Sequence, residues 1–227
     1  MSDINNIFKL LDEWSVLPNY QLERRADIYF AYYMPTIFAK YLEEEITSDN
    51  IIPEFPLKQN ENSNKSDKVD YAIICEEKVY LVELKTSMSS LINKKQEEYL
   101  NRAKGKEFPT LIKEIYDIRY ARYSHAKYSN LIGRLQKVPK IGTIPIPEND
   151  KKWLIDAERD KIKSEIEVKP RKIEVVFIQP NKKTISKAAN KVISFDEVAK
   201  AIEKSIEESG KKDNALAKRF IESLSVW

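Results

Sequence analysis

The chain has 227 residues, of which 42% are hydrophobic and 33% charged, and its formal net charge is only +3. This composition is typical of a globular protein with a substantial core, and so small a net charge does not by itself indicate a nucleic-acid binder. A single cysteine excludes an intramolecular disulfide, a single histidine excludes a histidine-rich metal site, and no apolar run approaches the roughly 20 residues that span a bilayer. We therefore expect a cytoplasmic protein in a reducing compartment, without a membrane partner.

Two amphipathic helices are predicted before the first strand. Apolar residues recur at helical spacing over residues 3–17, and Pro18 ends this helix. A second helix is predicted from residue 19 to about residue 46, with a kink or restart at Pro35. Its first turn carries Glu23, an acidic residue at the end of the helix where the dipole favours one.

A β-hairpin is predicted after a proline-containing strand. Residues 51–58 favour a short strand, which its two prolines restrict to a sheet edge or an irregular position. The polar segment 59–68 predicts a mobile loop. Two runs rich in Val, Ile, Tyr and Leu follow at 69–75 and 79–84, and the two glutamates between them suit a tight reversal.

Three charged residues are predicted to meet at the open end of this hairpin. Side chains alternate along a strand, so Glu83 and Lys85 share one face of the second arm. Antiparallel folding brings Asp70, on the first arm, beside that end. Carboxylates at the end of a buried strand are costly unless they are paired or bind a cation, and Mg²⁺ prefers oxygen ligands such as these. The pattern therefore favours a Mg²⁺ site, with Lys85 positioned to act on an attacking water.

Asp70, followed after a short hairpin by Glu83-Leu84-Lys85, resembles the motif of the PD-(D/E)xK nuclease superfamily, the restriction-endonuclease-like phosphodiesterases. The resemblance implies an α/β fold with a restriction-endonuclease-like core, in which α-helices flank a central mixed β-sheet, and here with additional helices. It implies that Asp70, Glu83 and the backbone carbonyl of Leu84 bind Mg²⁺ or Mn²⁺ and that Lys85 acts at the water. Glu23 resembles a carboxylate that a preceding helix adds to such sites. The implied function is hydrolysis of phosphodiester bonds in DNA, with RNA as an alternative, by one domain spanning residues 1–227.

The same residues are also compatible with other functions. Val69 stands where the motif often has proline, a departure that much of the superfamily shares, and Glu-x-Lys occurs twice more, at Glu76/Lys78 and Glu167/Lys169. A cross-strand salt bridge at an exposed hairpin tip would also explain the charges. The alternatives are a catalytically inactive nucleic-acid-binding protein or subunit of the same fold, and a structural or protein-interaction domain. A homodimer is also left open.

A basic helical region is predicted at about residues 88–165. Residues 94–140 contain 12 Lys and Arg against five Asp and Glu, interleaved with tyrosines. Basic side chains bind phosphates and aromatic rings stack on unpaired bases, although tyrosines in the core and lysines in water would give the same pattern. The residues predicted to contact nucleic acid are Thr86, Lys94, Lys95, Arg119, Arg122, Lys182 and Lys183.

The rest of the chain is predicted from periodicity, turn residues and apolar runs. Residues 173–178 predict a strand that is buried on both faces and could extend the hairpin sheet. Residues 138–148 predict an extended connector, and 181–191 a basic loop. Helices are predicted at 91–102, at 110–138 as one or two helices with Gly133 as an interruption, and at 151–163, 195–208 and 214–224.

Overall fold

The structure is a computed structural model, and it describes residues 3–15, 22–87, 94–119, 125–146, 156–183, 186–209 and 214–227. Within these ranges the fold is α/β, with a five-stranded mixed sheet flanked by helices. The helices are α1 (Asp3–Ser15), α2 (Leu22–Leu42), α3 (Lys94–Lys104), α4 (Phe108–Arg119), α5 (His125–Leu135), α6 (Asp156–Ser164), α7 (Phe195–Ser209) and α8 (Ala215–Leu224). The strands are β1 (Ile51–Lys58), β2 (Ser66–Ile74), β3 (Lys78–Leu84), β4 (Gly142–Thr143), β5 (Glu167–Val168), β6 (Lys172–Gln179) and β7 (Lys191–Ser194).

The central sheet has the strand order β1-β2-β3-β6-β7. β1 and β2 are antiparallel, as are β2 and β3, whereas β6 and β7 are parallel, so the sheet is mixed. β3 is therefore the central strand, and six of its seven residues are buried. β4 and β5 form a separate two-stranded antiparallel pair.

The chain divides into two compact units. The first contains Met1–Ser48, Glu83–Asn93 and Val176–Trp227, and the second contains Asp49–Val82 and Lys94–Val175. The prediction that residues 1–227 form one nuclease-like domain stays a prediction.

The core of the first unit is aromatic. Phe220 of α8 lies against Phe30 of α2, with ring centroids 5.0 Å apart in an edge-on arrangement, and stacks on Tyr33 at 5.5 Å. On α2, Ala26, Phe30 and Tyr33 are buried at intervals of three and four residues, as expected for one face of an amphipathic helix.

A buried arginine ties together three loops of the second unit. Arg171 donates hydrogen bonds to the backbone carbonyls of Cys75, Lys169 and Lys140, at 2.8, 3.3 and 2.8 Å. Its guanidinium also lies 5.5 Å from the centre of the Phe108 ring. Satisfied backbone acceptors offset the cost of burying this charge, and burial lowers the pKa of Arg171 from its usual value.

Most predicted elements are confirmed. The hairpin is formed by β2 and β3, β1 lies at a sheet edge, and β6 neighbours β3 in the sheet. Cys75 is buried and belongs to no disulfide. Among the described helices, none is long and apolar enough to cross a membrane.

Several details of the predicted elements differ from the structure. The polar loop is shorter than predicted, because β2 already begins at Ser66 and pairs with the end of β1. α2 runs without a restart through Pro35. α5 likewise contains Gly133 without interruption. The predicted connector and basic loop contain or adjoin short strands that the sequence did not indicate, namely β4, with its partner β5, and β7.

Candidate functional site

The central strand ends in a buried pair of opposite charges. Glu83 lies on β3 and Lys85 directly follows it, and their side chains are only 2% and 8% exposed. The Lys85 backbone N–H donates to the Ile178 carbonyl of β6 at 2.8 Å, which fixes the chain at this point. The two residues lie on the same side of the strand because side chains alternate, and the Lys85 ammonium is 3.5 Å from the Glu83 carboxylate.

A second carboxylate reaches the same lysine from α2. Glu23 lies in the first turn of this helix, next to the buried Leu22, and its carboxylate is 3.6 Å from the Lys85 ammonium. The Glu23 side chain is 31% exposed, so this side of the group reaches solvent. Glu23, Glu83 and Lys85 thus form a compact group with one cation and two anions.

The paired register of β2 and β3 ends one residue before Asp70 and Glu83. The register of β2 and β3 runs from Ile74 opposite Val79 to Tyr71 opposite Val82. Asp70 is the next residue of β2 beyond Tyr71, and Glu83 is the next residue of β3 beyond Val82. Asp70 is half-buried.

A metal site is not recognisable from side chains alone. In the described part of the chain, no group of three or more His, Cys, Asp or Glu residues is arranged to hold a metal ion. The predicted Mg²⁺ site requires only Asp70, Glu83 and the backbone carbonyl of Leu84, and it stays a prediction.

The lysines predicted to contact nucleic acid differ in their surroundings. Lys94 and Lys183 are exposed. Lys95 is 71% exposed and lies 2.9 Å from the buried carboxylate of Asp67. Lys182 is held more firmly, because it bonds the Glu197 carboxylate at 2.6 Å and the Val192 carbonyl at 3.0 Å.

The other residues predicted to contact nucleic acid are Thr86, Arg119 and Arg122. Thr86 is half-buried directly after Lys85. Arg119 is the last residue of α4, and its side chain lies outside the described part of the structure, as does all of Arg122. Their role in nucleic-acid binding stays a prediction.

Several aromatic residues of the basic region belong to the core. Tyr99, Phe108 and Tyr116 are buried, and the Tyr116 hydroxyl donates to the Pro145 carbonyl. These three rings support packing within the second unit and are not available for stacking on bases. Tyr120 and Tyr123 lie outside the described residues.

Sequence reasoning missed a second charged group, centred on Asp117 of α4. Its carboxylate contacts Lys58 at the end of β1 and Lys163 on α6, at 2.9 and 2.5 Å. Burial disfavours the ionised carboxylate, but the hydrogen bonds from Lys163 and Lys58 outweigh it and hold the pKa of Asp117 below its usual value. Only Lys58, the charged residue that ends β1, hinted at this group, since a buried lysine needs an anionic partner.

Comparison with models of protein families, with curated proteins and with solved structures finds no significant match. What can be said about function therefore comes from the side chains themselves.

Proposed function

We propose that this chain is a metal-dependent nuclease that hydrolyses phosphodiester bonds of DNA, with RNA as the alternative substrate. The observation that carries the proposal is the buried ion pair of Glu83 and Lys85 at the end of the central strand, joined by Glu23. Removing charged groups from water is costly, and an apolar pair would stabilise this strand at least as well. Charges retained in such a place are frequently those that act on a substrate.

The donor set suits a hard divalent cation. Carboxylates and backbone carbonyls are the ligands that Mg²⁺ and Mn²⁺ accept, and Asp70, Glu83 and the carbonyl of Leu84 would supply them. Asp70 is included because the resemblance to the PD-(D/E)xK motif assigns it to the metal. A bound metal ion would offset the negative charge that develops on the phosphate.

Lys85 is assigned the central role among the side chains. Its ammonium would orient the attacking water and stabilise charge on the phosphate oxygens, and its burial strengthens both interactions. Glu23 would hold the ammonium in position from the solvent side. The exposed lysines Lys94 and Lys183 would contact the phosphate backbone.

The proposal is tested with labelled single- and double-stranded DNA and RNA, each incubated with the purified chain and either Mg²⁺, Mn²⁺ or EDTA. We expect products only with a divalent ion, and a loss of about a hundredfold or more in rate for Lys85→Gln and Glu83→Gln. Lys78→Gln is the matched control, because Lys78 belongs to another Glu-x-Lys at the opposite end of β3 and is 38% exposed. The folded fraction of each variant is measured by circular dichroism, and its cleavage rate is divided by that fraction. Wild-type cleavage by Lys85→Gln would contradict the proposal.

One observation favours an alternative, a nucleic-acid-binding protein without catalysis. The Lys85 ammonium already pairs with the carboxylates of Glu23 and Glu83, so a purely structural role would account for these contacts. The alternative predicts binding that weakens steeply with salt, needs no metal ion and yields no product. Fluorescence anisotropy with and without EDTA, followed by gel analysis of the same samples, separates the two functions.

A further inference from the structure

A buried carboxylate of β2 contacts two cations of α3 within the second unit. The Asp67 side chain is only 7% exposed, and one of its oxygens, Oδ1, lies 2.9 Å from the Lys95 ammonium. The other oxygen, Oδ2, accepts a hydrogen bond from Arg102 Nη2 at 3.2 Å. Gln59 also donates to Oδ1, at 3.0 Å. Both oxygens of this carboxylate are therefore engaged, and the two cations meet at one anion.

The Asp67 carboxyl group is ionised at neutral pH. Burial opposes its ionisation, but the hydrogen bonds from Lys95 and Gln59 outweigh burial and keep the pKa of Asp67 below its usual value. Asp67 therefore acts as a fixed anion that holds both cationic head groups from the side of the sheet.

Both cations also reach solvent, and they do so from one face of α3. Lys95 and Arg102 are seven residues apart, close to two helical turns, so their side chains leave the helix in nearly the same direction. The Lys95 side chain is 71% exposed and that of Arg102 is 33% exposed. Because their head groups converge on the two oxygens of a single carboxylate, one further small anion on the solvent side could contact both.

The two cations retain hydrogen-bond donors for such a ligand. Within the described part of the chain, Asp67 is the one carboxylate that Lys95 and Arg102 contact, and the Arg102 guanidinium bonds it through Nη2. Guanidinium and ammonium groups each carry several N–H donors. Phosphate suits this pair, because its oxygens can accept from a guanidinium and an ammonium at the same time.

We propose that Lys95 and Arg102, held together by Asp67, bind one backbone phosphate of a nucleic acid. This inference rests on the proposed function for its ligand, since a nucleic acid is the substrate proposed above. Asp67 is a positioning residue: it orders the two long side chains before the ligand arrives, and so reduces the conformational entropy that binding would otherwise cost.

The first test compares two double variants that remove the same charge. Binding of a fluorescent DNA oligonucleotide is measured over a salt series in EDTA, so that cleavage does not interfere. We expect Lys95→Gln/Arg102→Gln to weaken binding about tenfold and to lower the salt slope by about one, because one phosphate contact is lost. The control is Lys65→Gln/Lys68→Gln, in which both lysines are exposed and Lys68 pairs with Glu54 at 3.0 Å. The inference is overturned if the first double variant binds like the wild type or loses no more affinity than the control.

The second test uses the sign of the effect of Asp67→Asn. If only net charge mattered, removing an anion would strengthen binding to DNA. The inference predicts the opposite, a loss of about threefold or more, because Lys95 and Arg102 lose the group that orders them. The matched control is Glu54→Gln, which removes an acid that is 57% exposed and pairs with Lys68, and which should not weaken binding. Tighter binding by Asp67→Asn would overturn the inference. If circular dichroism shows that Asp67→Asn is unfolded, the first test decides alone.

Failure of this inference is distinguishable from failure of the proposed function. Cleavage by the wild type, together with wild-type binding by Lys95→Gln/Arg102→Gln, would overturn the inference and leave the nuclease proposal standing. Weakened binding by that variant, without cleavage by the wild type in Mg²⁺ or Mn²⁺, would support the phosphate contact and contradict catalysis. A wild type that binds no oligonucleotide would overturn both.

Discussion

At the scale of single residues, removing the charge of Lys85 should be costly for stability. Lys85→Met removes the cation that both the buried Glu83 carboxylate and the Glu23 carboxylate contact. Breaking a buried ion pair by deleting one partner costs about 3 kcal/mol, so we expect the free energy of unfolding in urea to fall by roughly that amount.

Lys78→Met is the control for this measurement. Lys78 lies on the same strand, 3.5 Å from Glu174, but it is 38% exposed, and an ion pair with so exposed a partner contributes less than about 1 kcal/mol. Equal losses for the two variants would show that the charges around Lys85 are no better paired than those on the surface.

The carboxylate of Asp117 should make stability depend on pH. Burial opposes its ionisation, but the hydrogen bonds from Lys163 and Lys58 prevail and lower its pKa below the usual 3.8. A carboxyl group whose pKa is lower in the folded than in the unfolded state stabilises the fold above the unfolded pKa, and this contribution is lost as the pH falls through the folded pKa. We therefore expect Asp117→Asn to be less stable than wild type at neutral pH, with the difference shrinking as the pH falls below about 4. Urea denaturation of both proteins over a pH series measures it, and a difference independent of pH would contradict it.

Among secondary-structure elements, those with a strong repeating pattern were predicted and the shortest were not. β1, β2, β3 and β6 each contain seven to nine residues, and their apolar runs indicate strands. The two prolines of β1 also indicate its position at a sheet edge. β4 and β5 contain two residues each, too few to show an alternation of buried and exposed side chains. They pair only because tertiary contacts bring residues 142–143 and 167–168 together, which local sequence does not encode.

Two glycines in different elements should respond oppositely to the same substitution. Gly142 of β4 has φ +100°, and a Cβ there would lie 2.1 Å from the Glu167 carbonyl oxygen of β5. Gly142→Ala should therefore lower the free energy of unfolding by about 1–3 kcal/mol or more. In α5 nothing lies within 4 Å of a Cβ built on Gly133, so Gly133→Ala should raise it by about 0.5–1 kcal/mol. Urea denaturation of the two variants measures both effects, and changes of the same sign would contradict the backbone argument.

At the scale of the whole molecule, the separation of residues along the sequence determined how much of the candidate site could be predicted. Glu83 and Lys85 are two residues apart, so alternation along one strand was enough to place them on one face. The contact between Lys85 and Glu23 joins residues 62 positions apart, and only the resemblance to a known motif suggested it. The Asp117 group joins β1, α4 and α6 and matches no motif, so the lysine at the end of β1 was the only hint of it in the sequence.

A divalent ion should stabilise the whole chain if Asp70 and Glu83 hold it. A ligand that binds only the folded state adds about 2.7 kcal/mol to the free energy of unfolding at a hundred times its dissociation constant. We expect Mn²⁺ to raise the Tm of the wild type, and not that of Asp70→Asn or Glu83→Gln, because the charge of each carboxylate contributes to binding.

The control for this last experiment is Glu76→Gln at the opposite end of the same hairpin. Glu76 is 60% exposed and pairs with Lys140, so its loss removes one negative charge without touching the candidate site. Glu76→Gln should keep the full increase in Tm. Because unfolding is measured without substrate, the experiment separates metal binding from catalysis: an increase that survives Glu83→Gln would place the metal elsewhere, even if the chain cleaves nucleic acid.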